Sequence, residues 1–238
     1  MIEILQKPLT GKKGVVFGIA NEHSVACGCA QAFRALGAEL AITYGHEKSK
    51  PYVETLAREP QAPIFLPCDM QVPGQIEAVF ESIRQRWGRL DFALHAIAFA
   101  PKADLQGRLA DCSRDGFLVA MDVFCHSFIR MARVAEPLMT SGGVMFTLTY
   151  YGAEKVIEHY DVMGARQGCL GKRLALSRLR IWAERNPRTC HFARSVEDAC
   201  GLGARSFRRF AGTRYQAYAR QESCQRRRCR HGNGCAGD

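Results

Sequence analysis

No run of eighteen apolar residues occurs in this chain, so no membrane-spanning helix is expected. The opening stretch MIEILQKPLTGKKG has no apolar h-region and does not read as a secretory signal. A cytoplasmic setting is the resulting expectation, and disulfides are not expected there. No G-x-G-x-x-G follows the first apolar run, where the commonest dinucleotide fingerprint would stand. It also has no C-x-x-C pair, and no metal site is expected. Acidic residues are scarce in one part only. Residues 165–238 hold 5 Asp+Glu against 17 Lys+Arg, of which 16 are Arg, a net of +12. Residues 1–164 hold 18 and 16, a net of −2, so the overall +10 describes neither part. Cysteine is skewed the same way, with 5 in the first 164 residues and 6 in the last 74.

What is present in residues 1–164 is globular in composition and strictly alternating in pattern. Short apolar runs at 14–19, 39–44, 64–68, 90–97 and 144–148 read as buried strands. Between them, residues 26–36, 52–58, 76–87 and 117–138 have helical periodicity. The third is the clearest, with Ile76, Val79, Phe80, Ile83 and Trp87 on one face. This β-α alternation predicts an α/β fold: a doubly wound parallel sheet, Rossmann-like, with helices on both faces and right-handed crossovers. Ligands of such sheets lie at the carboxyl ends of the strands.

The first strand runs into Gly18-Ile19-Ala20-Asn21-Glu22-His23-Ser24-Val25-Ala26. The pattern fits a turn whose small residues let backbone N–H groups approach a pyrophosphate, and it fits an ordinary strand–helix turn equally. His23 reads as a turn residue. The fourth strand ends in His95-Ala96-Ile97-Ala98-Phe99-Ala100, where small residues suit either a flat cofactor ring or tight packing. His95, inside an apolar strand, reads as a satisfied core histidine. Beyond the fifth strand stand Tyr150, Tyr151 and Tyr160. A tyrosine can donate a proton when a cation lowers its pKa, but by count tyrosines more often serve cores.

Taken together, Gly18-Ile19-Ala20 with Ser24-Val25-Ala26, Cys68-Asp69, His95-Ala96-Ile97-Ala98-Phe99, Leu148-Thr149-Tyr150-Tyr151-Gly152-Ala153-Glu154 and Tyr160-Asp161-Val162-Met163-Gly164 resemble one family. It is the NADH-dependent enoyl-[acyl-carrier-protein] reductases of bacterial type II fatty-acid synthesis, a divergent branch of the short-chain dehydrogenase/reductases. The resemblance covers about residues 8–164. It implies that Gly18, Ser24 and Val25 hold the pyrophosphate and adjoining ribose. Asp69 and Met70 would sit by the adenine, Ile97 beside the nicotinamide ribose, and Ala100 against the acyl thioester. Tyr160 would hydrogen-bond the thioester carbonyl and stabilise the enolate, with Tyr150 as second active-site tyrosine. The implied partner is acyl carrier protein bearing an enoyl thioester, in a homotetramer. Neither nucleic acid nor membrane is an expected partner.

Two departures stand out. Gly45 occupies a position where the family often has glutamine, and no arginine follows the second strand, which favours NADH over NADPH. The family also has a lysine seven residues after the second tyrosine; here that position is Gln167, and an amide supplies no positive charge. Arg166 and Lys172 are at the wrong helical phase to replace it.

The resemblance stops at Gly164, and the tail behaves as a shifted reading frame. Residues 164–168 can be encoded GGG GCC CGG CAA GGC; one base later this reads Gly-Pro-Gly-Lys, with lysine at 167. Some steps are forced. A glutamine codon followed by G must give Lys or Arg, and TGG at Trp182 followed by G must give Gly. Permitted codons over 182–198 spell Gly-Pro-Lys-Gly-Ile-Arg-Val-His-Ala-Ile-Ser-Pro-Gly-Pro-Leu-Lys-Thr, which resembles the family's sixth strand and cofactor loop. Further family-like segments follow over 207–232. A single extra base near the Gly164 codon accounts for these matches and for the Arg and Cys excess. The expected organisation is a reductase domain over 1–164, complete through its fifth strand, and an out-of-frame tail over 165–238. The competing readings of the tail are weaker: a basic nucleic-acid arm has few aromatics, and Cys224, Cys229, His231 and Cys235 are irregularly spaced for zinc. Two function classes follow: an enoyl reductase, as the gene would read in frame, and a non-catalytic Rossmann-like fragment, as the chain is written.

Overall fold

The computed structural model describes residues 7–58, 62–105, 108–148, 162–165 and 168–169. Within them, β1 (Lys13–Phe17), β2 (Glu39–Tyr44), β3 (Ile64–Pro67), β4 (Phe92–His95) and β5 (Val144–Thr147) form one sheet. Its order is β3-β2-β1-β4-β5, and each pairing is parallel. The helices between them are α1 (Val25–Ala35), α2 (Lys50–Arg58), α3 (Gln75–Trp87), the short α4 (Lys102–Leu105), α5 (Arg114–Met121) and α6 (Ser127–Ala135). The strands are apolar at nearly every position because both faces of a parallel sheet are covered. Val15, Val16 and Phe17 are all fully buried.

One face carries the larger core. Val15, Phe17 and Ala93 pack beneath Ile76, Val79, Phe80 and Ile83 of α3 and Phe128, Met131 and Ala135 of α6. Phe17 and Phe80 stack at 5.9 Å. On the other face, Phe33 of α1 meets Phe92 at 4.7 Å and Phe146 at 6.1 Å. The amino ends of the strands are tied by charge. Asp91 accepts from the backbone N–H of Lys13 at 2.9 Å and from the Lys12 ammonium at 2.8 Å. Glu39 pairs with Lys13 and accepts from Trp87 Nε1 at 2.7 Å. These contacts hold α3 and the two central strands in register at the end away from the ligand side.

The helix expected over 117–138 differs in the structure. It begins three residues earlier, at Arg114, because Ser113 caps it, its hydroxyl accepting from Gly116 N at 2.9 Å. A π-helical turn, Asp122–His126, then separates α5 from α6, and a 3₁₀ turn, Glu136–Leu138, ends the run. The buried Ser127 hydroxyl donates to Val123 O at 2.6 Å, and His126 Nδ1 lies 2.7 Å from Asp122 Oδ1. Phe124 and Phe128, four residues apart on one face of this run, both reach the sheet beside His95.

Candidate cofactor site at the carboxyl ends of the strands

β1 and β4 are neighbours whose crossovers leave to opposite sides, and the crevice between their carboxyl ends is the switch point of the sheet. Gly18 closes β1 with φ +91°, a conformation costly for any residue with a Cβ. A Cβ there would also drive into the Ala96 carbonyl oxygen and lie 3.1 Å from Ile97 Cγ1. Gly18 therefore lets the two strand ends close on each other and brings Ile97 to the crevice. Gly18→Ala should cost about 3 kcal/mol from the backbone conformation and the clash together. Gly28→Ala, at an exposed position of α1 with open space around it, should instead gain about 0.8 kcal/mol. Urea unfolding of both variants checks this, and equal effects would contradict it.

The turn that follows is built by its own polar groups. Asn21 Oδ1 accepts from His23 N at 3.0 Å, and Asn21 O accepts from the Ser24 hydroxyl at 2.7 Å. Ser24 is the N-cap of α1, its oxygen accepting from Cys27 N at 3.3 Å. His23 is a solvent-facing turn residue, as expected from sequence. No acidic side chain lies in the first turn of α1, which leaves the positive end of the helix dipole for an anion. Val25 is its first residue.

At the end of β3, the buried Cys68 continues the pairing with β2 through its N–H to Tyr44 O at 2.8 Å. Burial, with Asp69 beside it, pushes the Cys68 thiol up to about 12, so it is inert as a nucleophile. Asp69 is half-buried. Its Oδ1 accepts from Gln71 N at 2.9 Å, its own N–H donates to Gln75 Oε1 at 2.6 Å, and its Oδ2 lies 3.5 Å from His46 Nδ1. Met70 is a core side chain, 3% exposed, whose carbonyl accepts from Arg130 at 3.4 Å. His46 and Gln75 did not emerge from the sequence. Their signal is position, one just beyond β2 and the other at the start of α3.

Ala100 is buried with Ala120 and Val162 in a small second cluster, joined by Leu105, Cys112 and Met163. The residues just after Tyr160 thus pack beside the segment that leaves β4. Tyr150, Tyr160 and Gln167, with the whole tail from 170 onward, lie outside the described residues. His95 is fully buried: Nε2 is 2.8 Å from Ser127 Oγ, Nδ1 is 3.3 Å from Thr147 Oγ1, and Phe128 stands edge-on at 5.5 Å. It is a satisfied core histidine, as its place in an apolar strand suggested. Among the described residues, no group of three His, Cys, Asp or Glu side chains is placed to hold a metal. Nor is any helix among them long and apolar enough to cross a membrane.

A glycine-closed switch point that leads into a helix free of acids, with a carboxylate two strands away at the end of β3, is the arrangement of a Rossmann-like short-chain dehydrogenase/reductase. Its residues suit a dinucleotide: a helix N-terminus for the pyrophosphate and an acceptor carboxylate for an adenine amino group. Within that class, the chain belongs to the enoyl-(acyl carrier protein) reductase family, whose model matches residues 18–174. The NADH-dependent enoyl-acyl-carrier-protein reductase 2 of Rhizobium meliloti is 44% identical over 162 residues, covering 68% of this chain and 60% of the relative. A FabI enzyme of Nostoc is 42% identical over 165 residues, 68% of this chain and 64% of that one. The chain thus spans less than two thirds of the length of these curated relatives. Among solved structures, an Anaplasma phagocytophilum reductase in complex with NAD superposes with a TM-score of 0.72 at 40% identity, covering 78% of this chain and 70% of that one. A Bacillus cereus reductase with NADP+ and indole naphthyridinone gives 0.73 at 36%, covering 79% and 72%.

Proposed function

We propose that the gene in its restored frame specifies an NADH-dependent reductase of trans-2-enoyl thioesters on acyl carrier protein, and that the chain as written is a nucleotide-binding remnant impaired in that reaction. The observation that carries the first half is the burial of Val162 against Ala100 and Ala120, which draws the chain just after Tyr160 to the strand end where a thioester would lie. The observation that carries the second is Gln167 in place of a cation.

In this reading the N–H groups at the start of α1 face the pyrophosphate, while Ser24 and Val25 flank the adjoining ribose. Asp69 accepts from the adenine amino group beside Met70, and Ile97 lies against the nicotinamide ribose. The bound nicotinamide supplies a hydride for C3 of the enoyl thioester. Tyr160 donates its hydroxyl to the thioester oxygen and stabilises the enolate as charge develops there, which requires a nearby positive charge. Tyr150 lines the acyl side with Ala100. NADH is the favoured cofactor because no arginine follows β2 and curated relatives are named as NADH enzymes, while of two similar structures one holds NAD and the other NADP+. A cytoplasmic location and a homotetramer accord with the family, and assembly would need the segment after residue 164 in frame.

The DNA sequence across codons 160–170 tests the frame, and an assay of the purified chain tests the activity. The expected pair of results is an extra base and no NADH-dependent reduction of an enoyl thioester. Turnover by the chain as written would overturn the impairment. A frame with AGG across the shifted codon, specifying Arg at that place, would count heavily against the frame shift.

A further inference from the structure

The helix α5 is capped from two places in the chain. Ser113 is its N-cap, and the Ser113 hydroxyl accepts from the N–H of Gly116, three residues on. In a complete capping box that third helical residue is Glu or Gln, and its side chain returns to the backbone N–H of the N-cap. Gly116 has no side chain to return. Asp115 is the acidic residue of the first turn, but it sits at the second position, 90% exposed beside Arg114.

The other half of the box comes from α4. Asp104 Oδ1 accepts from Ser113 N at 2.7 Å, the bond that a glutamate at 116 would make. A Cβ added at Gly116 would strike Asp104 Oδ2 and Cγ, so the carboxylate occupies the space of the side chain that the glycine omits. The bond from the Ser113 N–H holds the Asp104 carboxyl below the usual carboxylate range against the desolvation that raises it, and the Ser113 hydroxyl and Cys112 thiol add to the effect.

What the box fastens is the segment beside Ala100. Ala100 is buried against Ala120 of α5 and Val162, and Leu105 of α4 and Cys112 pack on the same cluster. Asp104 stands between Ala100 and Leu105 in the chain, so its bond to Ser113 closes this segment against α5. The helix α4 is four residues long and buries no side chain of its own, so it has little else to hold its place.

We infer that Asp104 is a positioning residue: it completes the capping box of α5 from outside the helix, and so fixes α4 and Ala100 on the acyl side of the crevice. The inference rests on the proposed reaction for what Ala100 touches; the clasp between Asp104 and α5 does not depend on it.

Amide exchange read by mass spectrometry on the full 238-residue chain tests the clasp, each variant first being shown to be folded by its thermal transition. Asp104→Ala should exchange about tenfold faster in the peptides that carry Asp104, Cys112 and Ser113, with β1, β4 and α3 unchanged. Gly116→Ala, which keeps Asp104 but fills its seat, should do the same. The double variant Asp104→Ala/Gly116→Glu returns a carboxylate to the third position of the helix itself, and should restore protection at Ser113 while α4 stays unprotected. Acceleration spread evenly over the sheet, none in either single variant, or recovery of α4 in the double variant overturns the clasp. The positioning role is read in the frame-restored chain, where Asp104→Ala should raise KM for the enoyl thioester about tenfold and leave KM for NADH within about twofold. An equal rise in both KM values overturns it. A restored parent without activity overturns the proposed reaction and the positioning role with it, while the exchange result still decides the clasp.

Discussion

Removing one base at the Gly164 codon should raise the rate of NADH-dependent enoyl-thioester reduction about a thousandfold over that of the chain as written. The size follows from what the shift takes away. A tyrosine that must donate to a developing enolate depends on a cation to lower its pKa, and such acid catalysis is worth about a hundredfold to ten-thousandfold. Gln167 is neutral in every accessible protonation state, so Tyr160 has no such neighbour at that position. The proposed shift would also replace the segment that reads Ser-Pro-Gly-Pro one base later, and with it the positioning of the cofactor. For this reason Gln167→Lys alone should stay within about tenfold of the parent, while the frame-restored chain recovers fully. Steady-state assays of the three proteins, each first shown to be folded by its thermal transition, decide this. If the single substitution rescued activity, the tail as written would have to supply a working cofactor loop. If the restored chain were folded but inactive, the proposed reaction would be wrong.

The sheet was legible in the sequence because parallel strands buried on both faces must be apolar throughout. The run at 39–44 coincides with β2, and the third and fifth strands end within one residue of expectation. The fourth was read too long, over 90–97 against Phe92–His95. Its flanks still bond their neighbours, Leu90 N to Leu138 O at 2.9 Å and Ala96 N to Phe17 O at 3.1 Å, so they share the strand's apolar character without its ladder. The π turn was not legible: one inserted residue leaves the helical pattern on each side intact, and the slip shows only in the backbone bond from Ser127 N–H to Asp122 O, five residues back. The glycine at 18 was visible as a small residue, but its closest demand, the Ala96 carbonyl, comes from a strand 78 residues further along. The His46–Asp69 pair was hidden for the same reason, since two loops meet only once β2 and β3 are side by side.

Acid should unfold this domain earlier than its carboxylates alone require, and His95 is the cause. Desolvation in the core lowers its pKa to about 3. The Ser127 hydroxyl donates to Val123 O and is left as an acceptor toward the ring, which assigns the proton to Nε2. Nδ1 then accepts from the Thr147 hydroxyl. The neutral ring thus ties β4 to β5 and to the start of α6; a proton gained at Nδ1 would force the Thr147 hydroxyl to give up donating to it, while the Nε2 bond to Ser127 stays as it is. In the unfolded chain the imidazole takes up a proton below about pH 6.5. Between that pH and about 3 the unfolded state holds one more proton than the native state, so stability falls as pH falls, by about 1.4 kcal/mol per pH unit. Above about 6.5 both states are neutral at this site and the contribution is fully present. The carboxylates of Glu39, Glu81 and Asp104, held low by their partners, lose their contributions at lower pH, as each is protonated through its native pKa. The window from about pH 6.5 to 5 therefore isolates the histidine, with an expected loss of about 2 kcal/mol. Urea unfolding across that window measures it, and His95→Gln, whatever its own stability, should flatten the slope. An imidazole that titrates near 6 in the folded protein by nitrogen NMR would show instead that the core accepts the charge and that this histidine does not set the acid limit.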